Sequence, residues 1–220
     1  MQDKIIIVIA TRNKGKKSEI SDLLKGFPVD IKGLDDFGPI PHIEEDGDTF
    51  DENAYKKASF TARILGFPAL ADDSGLLVEA LGAAPGVLSA RYAGENATDE
   101  QRCQKLLQEM EGKTNRKAAF ECVISIAVPT GPALTYEARC EGLIAEQFSG
   151  SNGFGYDPVF YYPPLNKTFG ELTIEEKSHV SHRGKALREL RGEFEKVMLW
   201  IKQHMPVYEK FKCQGNCDAI

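Results

Sequence analysis

The side chains able to do chemistry in this 220-residue chain fall into five short clusters. Thr11-Arg12-Asn13-Lys14-Gly15-Lys16 is polar and follows an apolar run. Between a strand and a helix N-terminus, such a loop offers free backbone N–H groups and the positive end of the helix dipole, which suits a phosphate. It has one Gly where a Walker loop has two, and an ordinary capped turn with a solvated Lys reads the same way. Asp72-Asp73-Ser74-Gly75 places two carboxylates after a second apolar run, and Glu44-Glu45-Asp46-Gly47 supplies further acids. Magnesium favours one or two carboxylates completed by phosphate oxygens, so Glu44 with Asp73 is a candidate pair. Neighbouring side chains of extended backbone point to opposite faces, so at most one of Asp72 and Asp73 is expected to face a given cleft.

The segment Gly153-Phe154-Gly155-Tyr156-Asp157 joins Gly flexibility to two aromatic rings and a carboxylate. Backbone can approach a ligand at Gly, a ring can stack on a base, and Asp can accept from ring N–H groups. Lys177 and the run Ser181-His182-Arg183-Gly184 bring possible cations to a helix boundary. Lys177 and Arg183 suit a phosphate or a base carbonyl, and His182 can donate from its ring. Each cluster taken singly also reads as a common turn or helix end.

These clusters need elements to hold them. Residues 4–10 predict a strand buried on both faces, followed by a helix whose Ile20, Leu23 and Leu24 recur at helical spacing and which stops at Gly26. Residues 33–47 read as connection. Thr49 and Glu52 form a capping box ahead of the stripe Phe50, Ala54, Ala58, Ala62 and Leu65, with Lys57 beside it. Residues 67–71 and 76–78 read as two strand pieces broken by the acidic turn. Thr98 with Gln101 caps another helix, and Thr173 with Glu176 a short one. The apolar even positions from Ala118 to Val128 predict a half-buried strand. Segments 134–140 and 143–148 are its expected neighbours, with turns at Pro129-Thr130-Gly131 and Glu141-Gly142. Ser181 opens a last helix on the face Leu187, Leu190, Phe194, Val197 and Ile201, and the fold is expected to end near Gln203, leaving 204–220 as a tail.

The length suits one α/β domain over residues 1–203. No apolar run is long enough for a bilayer, and the N-terminus lacks the long apolar stretch and cleavage site of an export signal, so a cytoplasmic location without membrane contact is expected. Five scattered cysteines read as reduced thiols rather than a disulfide framework. Cys213 and Cys217 lie close together, but a structural zinc site normally needs four ligands. A net charge of −6 without a long basic block argues against a nucleic-acid surface.

Taken in order, Thr11-Arg12-Asn13-Lys14-Gly15-Lys16, Thr49-Phe50-Asp51-Glu52-Asn53-Ala54, Ala71-Asp72-Asp73-Ser74-Gly75, Phe154-Gly155-Tyr156-Asp157 and Ser181-His182-Arg183-Gly184 closely resemble the inosine triphosphate pyrophosphatase family, also called the XTP/dITP diphosphatases. The resemblance runs from about Lys4 to about Gln203. It implies an α/β fold, an elongated mixed β-sheet with flanking helices forming two lobes around a central cleft, usually in a homodimer. It also implies magnesium as cofactor and hydrolysis of ITP, dITP or XTP to the monophosphate and pyrophosphate. Carried over by position, the loop from Thr11 through Arg12, Asn13, Lys14 and Gly15 to Lys16 would hold the phosphates, and Lys57 would add positive charge. Ser74 would contact substrate. Glu44, with Glu45 as the alternative, and Asp73 would serve the metal, Asp73 also taking the proton of the attacking water. Phe154, Gly155, Tyr156, Asp157, Lys177, His182 and Arg183 would surround the base and sugar-phosphate. The competing readings are a pyrophosphatase for other modified nucleotides, pyrimidines included, and a nucleotide sensor without turnover. The acidic corner weighs against the sensor, because carboxylates beside phosphates weaken binding unless a metal is recruited.

Overall fold

The computed structural model describes residues 4–41 and 43–206. Ile7, Val8 and Ile9 are fully buried because β1 (Ile5–Ile9) lies inside the sheet. It pairs in parallel with β2 (Val29–Gly33) on one side and with β3 (Ala69–Val78) on the other. The β1–β3 pairing covers only Val8 with Ala69 and Ile9 with Leu70, so β3 runs on past the end of β1, and that edge takes no further backbone partner strand until Leu77 bridges Pro85. Its other edge is fully paired, antiparallel to β4 (Lys117–Ala127), which pairs in turn with β5 (Ala133–Ile144). Two short strands, β6 (Phe160–Tyr162) and β7 (Lys167–Thr168), complete a seven-stranded mixed sheet in the order β2-β1-β3-β4-β5-β6-β7.

Three expectations about the strands need correction. Residues 72–75 do not break the strand: β3 is continuous through Asp72, Asp73, Ser74 and Gly75, each in register with β4. Gly75 serves close approach rather than a turn, since a Cβ there would stand 2.5 Å from the Gly86 carbonyl oxygen and from Ser89 Oγ. Glu141-Gly142 is likewise interior to β5, where a Cβ at Gly142 would meet the Phe160 ring at 2.5 Å and the Tyr161 carbonyl at 2.7 Å. And β4 is buried on both faces rather than half-buried. Its Cys122, Ile124 and Ile126 join the cluster of Leu190, Phe194 and Val197, while Val123 and Ala127 pack in the clusters of Phe50 and Ala58.

The covering elements are helices. α1 (Lys14–Leu23) follows β1, and α2 (Phe50–Leu65) lays its Ala54, Ala58 and Ala62 against the sheet. Thr49 caps α2 by accepting from Glu52 N–H, but the Glu52 carboxylate reaches back to Asp48 N–H at 2.8 Å instead of closing the box on Thr49. α3 (Asp99–Glu109) and α4 (Ile174–Val180) carry complete capping boxes at Thr98 and Thr173. α5 (His182–His204) buries all five residues of its expected face and ends at His204, with Met205 still packed against the core. A further apolar cluster joins Cys103 and Leu106 of α3 and its C-cap Met110 to Leu76, Val78, Phe120, Phe160 and Phe169. Cys213 and Cys217 lie outside the described residues. Among the described residues no helix is long and apolar enough to cross a membrane.

Candidate active site

Where β1 stops and β3 continues past it, the sheet leaves a hollow of about 530 Å³. That volume suits a ligand of nucleotide size. The chain leaving β1 forms one wall, with Asn13 as the N-cap of α1, its side-chain oxygen accepting from Lys16 N–H at 3.1 Å. Thr11 Oγ1 accepts from Asn13 N–H, and Arg12 donates to the Ile40 carbonyl at 3.1 Å, tying this loop to the connection that follows β2. Lys16 is no solvated side chain; its Nζ lies 2.8 Å from Asp72 Oδ2.

Both carboxylates of the acidic pair line this hollow, against the expectation that at most one would. They do leave opposite faces of β3, as alternation requires. Asp72 meets Lys16 of α1 and Arg183 of α5, whereas Asp73 Oδ1 meets Lys57 of α2 at 2.9 Å. The hollow wraps around an unpaired strand edge, so it is reached from both faces.

Burial is the largest single influence on each charged group here, and neighbouring charges overturn it at three of them. For Asp72 burial favours the neutral acid, but Lys16 and Arg183 outweigh it and hold the carboxyl well below the usual carboxylate range. Burial pushes the Asp73 carboxyl up, with Lys57 pulling the other way. Burial disfavours the charged Lys57 and Arg183, yet nearby carboxylates, Asp73 and Glu45 for Lys57 and Asp72 for Arg183, raise both. His182 is driven far down, by burial first and then by the charges of Arg183 and Lys177. It is therefore a neutral imidazole, stacked on Phe120 at 4.7 Å between centroids, and not one of three cations.

That neutrality has a stability consequence. The unfolded chain protonates His182 near pH 6.5 and the folded chain only at lower pH, so acid favours unfolding between the two values. The slope reaches at most about 1.4 kcal/mol per pH unit. His182→Gln is expected to lose less melting temperature than the parent between pH 7.5 and 5.5; equal losses would show that the imidazole is not held neutral.

The opposite wall carries the aromatic segment. Asp157 is almost wholly buried, accepts from Phe154 N–H at 2.8 Å and pairs with Lys177; burial pushes its carboxyl up against that pairing. Lys177 Nζ lies over the Phe154 ring at 4.7 Å from its centroid and Arg183 Cζ at 5.5 Å, and Phe154 is 42% exposed. Tyr156 is different: its ring is buried and its hydroxyl donates to the Ser89 carbonyl at 2.8 Å. Gly155 is gripped from α3, its N–H by Asp99 at 2.7 Å and its carbonyl by Cys103 Sγ at 3.3 Å.

The structure thus brings Thr11, Arg12, Asn13, Lys16, Lys57, Asp73, Ser74, Phe154, Gly155, Tyr156, Asp157, Lys177, His182 and Arg183 to one hollow. Gly15 lies in α1 outside the lining, and the backbone of Lys14 opens that helix. Glu44 is exposed and does not line the hollow; Glu45 does, with Oε2 3.0 Å from Lys57 Nζ. Asp72, Asp99 and Arg102 also line it without a role foreseen for them. Only Asp72 had a legible signal, its place beside Asp73. Gly75→Ala is expected to destabilise by about 1–3 kcal/mol through overpacking against Gly86 and Ser89. Thermal melting checks this, and an unshifted midpoint would show that those neighbours yield.

Cations and carboxylates gathered at a strand edge, opposite a part-exposed aromatic ring, define the class: an α/β protein whose hollow has the size and charge to suit a phosphate-bearing planar ligand. The model of the Ham1 family matches residues 7–193, and the chain belongs to the Ham1 family. It is 61% identical over 196 residues to a dITP/XTP pyrophosphatase of Syntrophobacter fumaroxidans, covering 89% of this chain and 84% of that protein. To the dITP/XTP pyrophosphatase of Desulfotalea psychrophila it is 58% identical, covering 91% and 90%. Among solved structures, a HAM1 protein from Coxiella burnetii superposes with TM-score 0.84 at 44% identity, over 87% of this chain and 99% of that one. The resemblance drawn from the five segments is borne out, as is the mixed sheet with flanking helices.

Proposed function

We infer that the chain hydrolyses ITP, dITP and XTP to the nucleoside monophosphate and pyrophosphate. The observation that carries this reading is the meeting of Lys16, Lys57 and Asp73 with Phe154, Lys177 and Arg183 around one hollow. Water attacks the α-phosphorus, its proton passes to the Asp73 carboxylate, and the bond to the pyrophosphate oxygen breaks. Burial, which raises Asp73, makes it a stronger base than an exposed Asp. Lys16 and Lys57 offset the charge that grows on the phosphate oxygens. Phe154 stacks on the base, while Lys177 and Arg183 offer donors to its keto oxygen.

Magnesium fits the donor set. Asp73 and Glu45 both meet Lys57, so two carboxylates lie close together on the phosphate side. Among the described residues no group of three His, Cys, Asp or Glu side chains can hold a metal. One or two carboxylates with substrate oxygens is the set that magnesium takes, and Glu45 is a better-placed partner for Asp73 than Glu44. Bound there, the ion would draw charge from the phosphate oxygens. A cytoplasmic homodimer accompanies this reading; the free, buried thiols of Cys103, Cys122 and Cys140 suit a reducing compartment.

Product analysis with ITP tests the reaction. Pyrophosphate as the first product supports it, and orthophosphate released first would overturn it. Relative rates with ITP, XTP, GTP, dTTP and UTP test the substrate class, with faster turnover of a pyrimidine rejecting it.

A further inference from the structure

We propose that Asp72 is a positioning residue acting as the built-in counter-anion of the hollow, holding Lys16 and Arg183 in place before substrate arrives and competing with product pyrophosphate for Lys16. The inference rests on the triphosphate reading of the site. A single oxygen, Asp72 Oδ2, is met by Lys16 Nζ at 2.8 Å and by Arg183 Nε at 3.2 Å. The other oxygen is buried without a hydrogen-bond partner among the described residues. The carboxylate is 1% exposed and belongs to a strand paired along its length with β4, so it cannot follow a ligand outwards.

Asp72 is not a spare copy of Asp73. The two leave opposite faces of β3 and meet different cations, and Asp72 links the phosphate side through α1 to the base side through α5. Its two cations are held unequally. Arg183 also donates to Ser74 Oγ at 2.9 Å and lies 3.7 Å from Glu19, whereas Asp72 is the ion-pair partner of Lys16 among the described residues. Lys16 is therefore the cation that a phosphate chain contests. While the product occupies the hollow, Asp72 repels it and draws Lys16 back, which favours release.

A purely structural Asp72 and a competing one predict opposite signs. Loss of a packing residue weakens every ligand, whereas loss of a competing charge tightens an anion while slowing turnover. The experiment measures ITP hydrolysis and its inhibition by added pyrophosphate in the parent, Asp72→Asn and Asp72→Glu. Asp72→Asn is expected to lower the pyrophosphate inhibition constant about tenfold and to reduce kcat. Asp72→Glu, which keeps the charge, is expected to leave that constant within about twofold of the parent. Unchanged or weaker inhibition of Asp72→Asn, or equal tightening in Asp72→Glu, overturns the proposal. A parent enzyme that does not split ITP overturns the functional reading instead. If Asp72→Asn folds too poorly for kinetics, melting with and without pyrophosphate decides: a larger stabilisation than in the parent supports the proposal, and an equal or smaller one sinks it.

Discussion

Asp73→Asn is expected to lower kcat for ITP about a thousandfold, the range over which positioned general bases act. The amide has nearly the shape of the carboxylate and can still accept from Lys57, but it cannot take a proton from water. Lys57 also keeps Glu45 as a counter-charge at 3.0 Å, so the substitution leaves no buried ammonium without a partner. Stability is therefore expected to change by only about 1 kcal/mol. The parent enzyme should lose rate as pH falls through the raised value of Asp73, because only the ionised carboxylate acts as base. The variant's residual rate should lack that acid limb. Pyrophosphate release measured across pH, beside thermal melts, checks each part. A kcat within tenfold of the parent, with the acid limb retained, would remove Asp73 from the role of proton acceptor.

How much of this was legible in the sequence depends on what kind of signal each element leaves. The helices announced themselves, because capping and burial are local: Thr98, Thr173 and Ser181 cap where their types and spacing say they should. Two glycine signals misled for one shared reason. Gly75 and Gly142 read as turns, yet each sits inside a strand where another part of the chain presses on the missing Cβ. A turn is encoded by neighbours in sequence, whereas close approach is set by residues such as Ser89 or Phe160 that sequence does not place nearby. β2 went unread because its Val29 and Ile31 alternate with Asp30 and Lys32 over only five residues at the sheet edge. The carboxylates were found as residue types but not as partners. That Asp72 would be needed at all follows from Arg183, 111 positions away, arriving at the same strand edge. Which of Glu44 and Glu45 lines the hollow turns on the direction in which exposed side chains point, and neighbouring residues in sequence do not encode that.

Base selectivity is the second large effect expected, with kcat/KM for ITP exceeding that for ATP by about 10⁴. Lys177 and Arg183 bring N–H donors over the Phe154 ring, and a 6-keto oxygen there would accept from them. The 6-amino group of adenine is itself a donor and needs an acceptor. Asp157 is the buried carboxylate of this wall, but its Oδ2 already receives Phe154 N–H and the Lys177 ammonium, and the residue is 2% exposed. Adenine would therefore bury unpaired donors on both sides of the contact, which costs far more than the loss of a good hydrogen bond. Lys177→Met removes one donor while keeping an apolar stem beside Phe154, so ITP should lose about a hundredfold in kcat/KM. ATP, which gains nothing from that ammonium, should change little, and the ratio between the two should shrink by the same factor. Burial already favours the protonated form of Asp157, so its loss of Lys177 is met by neutralisation rather than by a stranded charge. Equal losses on ITP and ATP would instead make Lys177 a holder of phosphate, since every triphosphate shares that chain and only the base differs.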